Sequence, residues 1–291
     1  MFHGAGVAIV TPFKNGQIDL NAYGKLVDFQ LENNIQALIV LGTTGEASTI
    51  SETERTQLIQ LTVEKAKGKV PVIVGAGSNN TESSIKYTKK AEELGADGIL
   101  LVTPYYNKCT QKGLVAHFNM IAAATSLPVI LYSVPGRTGL NIEPVTVAEL
   151  AKTPNIVGIK EASGNLSQVL EIKRVVPEDF MLWSGNDDNA LALCSVGGHG
   201  VISVMANMIP RETQEMCALF LEGKVREAAA IQVKTKKLFN HLFSEVNPIP
   251  IKAALSLMGL IENELRMPLT PMEPDHMAQL EEEMKHLGIL S

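Results

Sequence analysis

A lysine ends an otherwise apolar segment of this chain, and that position makes it the strongest candidate for chemistry. The segment Asn155–Lys160 reads NIVGIK. An amine at the end of a buried strand must be solvated, paired with an acid or used chemically. Burial disfavours the ammonium and favours the neutral amine, which can attack a carbonyl carbon. Lys160 is therefore a candidate nucleophile, and an ion pair with Glu46 or Glu161 would explain its position equally well.

A tyrosine and an arginine accompany this lysine at the end of the preceding apolar run. Tyr132 closes that run and Arg137 follows it. Tyrosine can transfer the protons that carbinolamine formation and dehydration require, and a guanidinium binds a carboxylate through two parallel hydrogen bonds. The three residues predict a substrate that is both a carbonyl compound and an acid, as an α-keto acid is. A protonated imine on Lys160 would make the adjacent carbon a nucleophilic enamine, so carbon–carbon bond formation or cleavage is the predicted reaction.

These residues need a scaffold, and the chain repeats one apolar pattern that supplies it. Eight short runs rich in Val and Ile alternate with helix-like segments such as Glu52–Lys67 and Thr81–Leu94. Strands that are apolar on both faces and joined by helices predict a parallel sheet covered on each side, and eight such units can close into an α/β barrel of the (β/α)8, or TIM, type. The predicted strands are Val7–Thr11, Ala37–Gly42, Val70–Gly75, Gly98–Thr103, Pro128–Ser133, Ile156–Lys160, Phe180–Ser184 and Gly200–Val204. An open doubly wound sheet is the alternative, but the first strand is not followed by a G-x-G-x-x-G loop.

The barrel hypothesis predicts where the polar residues meet. Reacting groups in such barrels lie at the carboxyl ends of the strands. The alternation of side chains along the sixth strand directs Lys160 into the barrel and Val157 and Ile159 into the helix layer. Residues 42–46, 103–106 and 132–137 end other strands and should share the same rim.

After residue 204 the strand pattern stops and helical patterns follow. Val225–Phe243 has an apolar stripe, Pro248 and Pro250 mark a helix start, and methionines and leucines between 277 and 287 are spaced by three and four. We expect a catalytic barrel over residues 1–223 and a C-terminal helical extension over residues 224–291.

Composition and charge exclude several other classes of protein. A net charge of −6 and a pI near 5.6 provide no basic surface for nucleic acid. No segment approaches the roughly 20 apolar residues of a membrane span. The three cysteines, Cys109, Cys194 and Cys217, are too few and too dispersed for a disulfide framework, which predicts reduced thiols and a cytoplasmic location. The histidine spacings predict no metal, and no cofactor is implied.

Ordered motifs along essentially the whole chain resemble those of the dihydrodipicolinate synthase family, whose members are also called 4-hydroxy-tetrahydrodipicolinate synthases. This family belongs to the N-acetylneuraminate lyase superfamily of pyruvate-dependent class I aldolases. The motifs are GTTGE at 42–46, TPYYN at 103–107, YSVPGRTG at 132–139, GIKEA at 158–162, SGND at 184–187, GGHGVIS at 197–203 and NPIP at 247–250.

The resemblance implies an activity and a role for each matched residue. Members condense pyruvate, held as a Schiff base, with L-aspartate 4-semialdehyde on the route to diaminopimelate and lysine. It implies that Lys160 forms the imine and that Tyr132, Thr43 and Tyr106 form a hydroxyl relay. Thr44 would bind the pyruvate carboxylate, Arg137 the carboxylate of the semialdehyde, and Gly185 and Ile202 would contribute backbone at the pocket. Tyr106 is expected to reach the neighbouring subunit's site, in a homo-oligomer that is a tetramer built from tight dimers.

The alternatives are a related aldolase such as N-acetylneuraminate lyase, and a barrel that binds a keto acid without turnover. Arg137 favours the synthase, because those related aldolases usually lack an arginine at this place. The resemblance also implies a candidate allosteric lysine site at Ser48, Asn79 and Tyr105. Glu52, Arg55 and Ser83 stand where strongly inhibited members carry histidines and glutamate, so we predict weak or absent inhibition by lysine.

Overall fold

A computed structural model of the chain describes residues 1–290. Eight parallel strands close into a barrel in the order β1-β8-β7-β6-β5-β4-β3-β2, which confirms the predicted fold class. These strands are β1 (Gly4–Ala8), β2 (Ala37–Val40), β3 (Val72–Gly75), β4 (Gly98–Val102), β5 (Val129–Ser133), β6 (Ile156–Glu161), β7 (Met181–Ser184) and β8 (Gly200–Ser203). A separate hairpin pairs Phe13–Lys14 with Gln17–Ile18.

Helices connect the strands and cover the barrel. They are α1 (Leu20–Glu32), α2 (Glu52–Ala66), α3 (Thr81–Glu93), α4 (Gln111–Ala122), α5 (Pro135–Thr138), α6 (Pro144–Leu150), α7 (Leu166–Val175), α8 (Ala190–Ser195), α9 (Pro210–Leu221), α10 (Val225–Leu242), α11 (Ile249–Leu257) and α12 (Pro274–His286). Local signals start several of them: Ser51 and Glu54 form a capping box on α2, and Asn80 caps α3. The predicted bounds of α2 and α3 are correct within one residue.

The first strand begins three residues earlier than its apolar run predicts. Gly4, Ala5 and Gly6 have too little apolar side chain to resemble a strand, yet they pair with β8. A side chain at Gly200 would collide with the carbonyl of Gly4, so the close approach of these two strands needs glycine there. Packing between strands therefore sets this boundary.

Two apolar clusters build the core. One lies between the barrel and the helices, and the smaller one fills the barrel interior beneath the strand ends. Trp183 stacks on Phe2 in this inner cluster, and its indole N–H donates to the Phe2 carbonyl at 3.2 Å. The inner cluster closes the lower barrel, so space for a ligand lies above it.

Ile159 packs in the helix layer as predicted, but the prediction for Val157 is wrong. Val157 packs against the inner cluster. The pairing of β5 with β6 shifts register between Val129 and Ile130, and β6 has one extra residue there. Alternation resumes at Gly158, so Lys160 still faces inward and Glu161 outward.

Helices α10 to α12 lie in the segment that the sequence predicts to be a C-terminal extension. Helix α10 packs on α9 and α12, and α11 packs on α12 and α10. A buried ion pair joins α11 to the loop after β2, with Lys252 Nζ 2.6 Å from Glu46 Oε1. A second contact fixes the same carboxylate, because the Arg266 backbone N–H donates to Glu46 Oε2 at 3.2 Å. Among the described helices, none is long and apolar enough to cross a membrane.

Candidate active site

Lys160 and Tyr132 lie side by side at the carboxyl end of the barrel. They are Cα partners across β5 and β6, and each side chain is 6% exposed. The Lys160 ammonium nitrogen lies 4.4 Å from the centre of the Tyr132 ring. The prediction that these two residues share one rim is therefore correct. An amine and a phenol stand together in a place that excludes most water.

Neither acid that could have neutralised Lys160 pairs with it. The Glu46 carboxylate binds Lys252. Glu161 points away from the barrel and accepts from Gln168 Nε2 at 3.0 Å and from the Ser163 backbone N–H at 3.1 Å. Burial raises the pKa of Glu161 above its ordinary value. Within residues 1–290 Lys160 forms no salt bridge, so the ion-pair explanation of its position is not realised.

Lys160 faces an inner pocket of about 50 Å³. A larger outer cavity of about 520 Å³ adjoins it, and the two share Thr43, Tyr132, Val134 and Arg137 in their walls. A small ligand at Lys160 would thus have an apolar floor, polar walls and a way in from the outer cavity. Most of the inner wall belongs to ends of different strands, as in other barrels. The inner pocket is lined by Ala8, Ile39, Gly42, Thr43, Thr44, Leu100, Tyr132, Val134, Arg137, Lys160, Ala162, Gly185, Asn186, Val204, Phe243 and Asn247.

Two threonines enter the site from the loop after β2. Thr44 is 2% exposed, and its hydroxyl oxygen lies 2.9 Å from the donating Asn247 Nδ2. Thr43 is exposed at the wall shared by the pocket and the cavity. The loop turns tightly enough for the Glu46 N–H to donate to the Thr43 carbonyl at 3.1 Å. Glu46 itself has φ of 53°, and its side chain is anchored by the buried ion pair to Lys252.

Arg137 stands at the rim, in the short helix α5. The side chain is exposed, and its Nη2 donates to the Asn247 carbonyl at 3.2 Å. Its guanidinium therefore lies where the inner pocket meets the outer cavity. The N–H groups that do not bind Asn247 remain available to a carboxylate of a ligand. Asn247 therefore holds both Thr44 and Arg137, two of the predicted binding residues, through hydrogen bonds.

The two remaining predicted binding residues differ in position. Gly185 lines the inner pocket, and its N–H donates to the Glu161 carbonyl at 2.7 Å. A Cβ at Gly185 would lie 3.0 Å from Lys160 Cε, so glycine leaves room for the lysine side chain. Ile202 is fully buried in the inner cluster, and Val204, just after the end of its strand, lines the pocket instead.

Tyr106 is the one predicted catalytic residue that this single chain does not bring to the pocket. Its side chain is 90% exposed, and its φ of 66° lies in the left-handed region that non-glycine residues rarely adopt. A backbone held in that conformation presents the ring outward from the rim. The neighbouring Tyr105 is turned toward the outer cavity.

The candidate lysine-binding residues gather around the outer cavity. Ser48 and Tyr105 line it, and Asn79 Nδ2 donates to the Tyr105 carbonyl at 3.3 Å. Arg55 lines the same cavity, with Nη2 2.8 Å from the Gly75 carbonyl and the guanidinium 4.3 Å from the Tyr87 ring centre. A fixed cation therefore stands in the wall of this cavity.

Sequence reasoning missed some residues of the pocket. Asn247 and Phe243 come from the C-terminal extension, which the sequence identifies only as a packing element. The NPIP motif at 247–250 is the one signal that could have directed attention to Asn247. Asp187 follows the predicted Gly185, but nothing in its local sequence indicates that it is buried.

Comparison with known proteins agrees with this geometry. The sequence model of the dihydrodipicolinate synthetase family matches residues 1–287. A 4-hydroxy-tetrahydrodipicolinate synthase from Alkaliphilus oremlandii is 63% identical over 290 residues, which cover 100% of this chain and 100% of that protein. The corresponding enzyme from Thermotoga neapolitana is 51% identical over 294 residues, again covering 100% of both chains.

Solved structures show the same similarity in three dimensions. The crystal structure of dihydrodipicolinate synthase from Thermotoga maritima has a TM-score of 0.98 and 50% identity, and the match covers 100% of both chains. A dihydrodipicolinate synthase from Cyanidioschyzon merolae with lysine bound has a TM-score of 0.97 and 44% identity, covering 99% of each chain. From the match over nearly its whole length and the shared fold, this chain belongs to the dihydrodipicolinate synthetase family.

Proposed function

We propose that this chain is a 4-hydroxy-tetrahydrodipicolinate synthase, a lyase that condenses pyruvate with L-aspartate 4-semialdehyde in the diaminopimelate route to lysine. The observation that carries the proposal is Lys160, buried beside Tyr132 in a pocket and forming no salt bridge within residues 1–290. Relatives of that name, at up to 63% identity over the whole chain, support it. N-acetylneuraminate lyase and a binding-only barrel are less well supported, because Arg137 and the lysine–tyrosine pair are all present.

Lys160 would act as the nucleophile. Its neutral amine attacks the keto carbon of pyruvate, and the resulting carbinolamine loses water to form an imine. Tyr132, adjacent to the amine, would carry protons to and from the oxygen that leaves. The buried Thr44 hydroxyl, fixed by Asn247, is placed to bind the pyruvate carboxylate. Gly185 leaves room for the Lys160 side chain in this small pocket.

The second substrate would enter through the outer cavity. Loss of a proton from the methyl carbon of the protonated imine gives an enamine, whose carbon attacks the aldehyde of the semialdehyde. The exposed Arg137 guanidinium stands at the junction of pocket and cavity and would bind the semialdehyde carboxylate through paired hydrogen bonds. Attack of the semialdehyde's own amino group on the imine carbon then releases Lys160.

The proton relay through Thr43 and Tyr106 would require a second subunit. Tyr106 is 90% exposed and directed out of its own barrel, which suits insertion into a neighbouring site. We propose a homo-oligomer, a tetramer built from tight dimers, in which the partner's copy of this tyrosine completes the relay. A cytoplasmic location fits the three free thiols, Cys109, Cys194 and Cys217.

We further propose that lysine inhibits this enzyme weakly or not at all. Ser48 and Tyr105 line the outer cavity and Asn79 donates to the Tyr105 carbonyl, but Arg55 also occupies the cavity wall. Free lysine carries two ammonium groups and one carboxylate, so a fixed guanidinium in the cavity repels more charge than it attracts. The lysine bound to the Cyanidioschyzon merolae enzyme belongs to that protein.

Reductive trapping tests the proposed chemistry. The purified protein is incubated with pyruvate and borohydride, and intact mass and peptide mapping identify the adduct, with Lys160→Ala as the matched control. We expect a pyruvate adduct on Lys160 in the parent protein and no adduct in the variant. A folded parent protein that traps nothing would overturn the imine mechanism. Release of 4-hydroxy-tetrahydrodipicolinate with the semialdehyde as acceptor then tests the substrate pair.

A further inference from the structure

A buried carboxylate behind the pocket wall has no role in the chemistry described so far. Asp187 is 3% exposed and begins the single turn of 3-10 helix that follows β7. Its Oδ2 accepts from the Val204 N–H at 3.0 Å and from the Met205 N–H at 3.2 Å. Its Oδ1 has no hydrogen-bond partner among the described residues. A half-satisfied buried acid is costly and calls for a physical reason.

Asp187 lies close to Lys160 although it does not line the pocket. Gly185, two residues before it, packs on the Lys160 side chain, with Cε 3.0 Å from where a Cβ would lie. Val204, whose N–H the carboxylate binds, lines the inner pocket together with Lys160. Burial raises the pKa of Asp187 above its ordinary value, and the Ser203 hydroxyl, the Met205 and Val204 N–H groups and, as the smallest contribution, the charge on Lys160 act in the opposite direction. A positive charge on Lys160 therefore favours the ionised form of Asp187.

The other charges near Lys160 cannot balance it. Arg137, the second charged residue of the pocket wall, is also a cation. Glu161 faces away from the barrel toward Gln168, and Glu46 is paired with Lys252. Asp188 is directed to the surface, 3.6 Å from Lys236.

The remaining titratable neighbours are a phenol and a thiol. Tyr132 presents its ring to the amine, and burial raises the pKa of the Cys217 thiol on α9, which keeps that thiol protonated. The pocket wall thus carries two basic side chains, and Asp187 is the carboxylate left to balance a positive charge on Lys160.

We propose that Asp187 is a positioning residue that supplies the buried counter-charge for the cationic imine on Lys160, acting from behind the wall formed by Gly185 and Val204. The inference rests on the proposed imine at Lys160. A neutral amine that becomes a protonated imine gains a positive charge, and a fixed carboxylate in a site of low dielectric stabilises that charge without reorganisation. Two backbone N–H groups on one oxygen hold the carboxylate in place and leave the other oxygen to act on the cation.

Asp187→Asn tests the inference, since asparagine keeps the shape and can still accept from the two N–H groups. Pyruvate is trapped with cyanoborohydride, which reduces the cationic imine, over a range of pyruvate concentrations and pH values. We expect the pyruvate concentration for half-maximal trapping to rise about ten-fold or more at pH 8 to 9, and the alkaline loss of trapping to move to lower pH. Asp188→Asn, the matched control, should follow the parent protein in both measurements.

The outcomes separate the two proposals. Absence of trapping in the parent protein would refute the imine mechanism itself. Normal trapping in the parent protein with the same pyruvate dependence and pH profile in Asp187→Asn would overturn the counter-charge. A loss of trapping that is equal at every pH would also overturn it, because that result indicates a structural role. If the asparagine variant does not fold, Asp187→Ser, a smaller neutral replacement, is measured in the same way.

Discussion

Replacing Lys252 by methionine should lower the free energy of unfolding by about 3–5 kcal/mol, because it leaves the Glu46 carboxylate buried without its cation. Lys252 is fully buried, and its ammonium lies 2.6 Å from Glu46 Oε1. The same ammonium donates to the Thr11 carbonyl at 2.9 Å and stands 4.1 Å from the Phe13 ring centre. After the substitution, the Arg266 N–H at 3.2 Å is the hydrogen bond that remains to that carboxylate.

The loss of unfolding free energy should come from the unpaired Glu46 carboxylate and not from a change in side-chain volume. Methionine has nearly the length of the lysine stem and can fill the same space. The double variant Glu46→Gln/Lys252→Met removes both charges and should lose less stability than the sum of the two single losses, with a coupling energy of about 2–3 kcal/mol. Urea unfolding at one fixed protein concentration measures all four proteins. Lys14→Met, at an exposed pair with Glu262, is the control and should change stability by less than about 0.5 kcal/mol.

The loss should also reach the active site. Glu46 anchors the loop that carries Thr43 and Thr44, so a displaced carboxylate should weaken pyruvate trapping in Lys252→Met even where the protein remains folded. A Lys252→Met variant that loses less than about 1 kcal/mol would refute the reasoning. A double variant no more stable than the sum of the single losses would refute it equally.

The remaining predictions concern surface charge, pocket shape and regulation. The Arg266 guanidinium lowers the pKa of Glu54 to about 2. Glu54→Gln should therefore lower unfolding free energy by about 0.5–1 kcal/mol at pH 7, a modest value because the pair is partly solvated. The stabilisation is complete above the unfolded pKa of about 4.3 and is lost as pH falls toward 2, so unfolding at pH 7 and pH 3 should show the difference shrink. Gly185→Ala should reduce pyruvate trapping about ten-fold or more, because the methyl group would lie 2.5 Å from Ala162 Cβ and 3.0 Å from Lys160 Cε and would displace the lysine. Lysine at about 1 mM should inhibit condensation by less than half, and Arg55→His should bind lysine more tightly in calorimetry.

Each of these predictions has a control. Gly136→Ala, at a site with no atom within 4 Å of the added methyl, should trap pyruvate normally. A pH-independent effect of Glu54→Gln would contradict the role of its ion pair. Strong inhibition of the parent enzyme by lysine, or unchanged lysine binding in Arg55→His, would contradict the role given to Arg55.

Much of the fold and the centre of the candidate site could be predicted from the sequence. Apolar runs separated by helical segments indicate eight strands, because a parallel strand is buried on both faces and needs apolar residues throughout. The equal height of Tyr132 and Lys160 follows from where each run stops, and the structure pairs them. Val157 was the exception, since a register shift gives no signal in an apolar run.

Only the tertiary structure decided the contacts between residues that lie far apart in the chain. Asn247 reaches Thr44 across 203 positions, and Lys252 reaches Glu46 across 206. That Asp187 Oδ1 is buried without a hydrogen-bond partner among the described residues can be recognised only from the structure. A sequence pattern reports periodic burial along one element, whereas pairing between polar groups depends on how elements pack. The sequence alone therefore determined the barrel and the candidate nucleophile, and packing determined which residues support them.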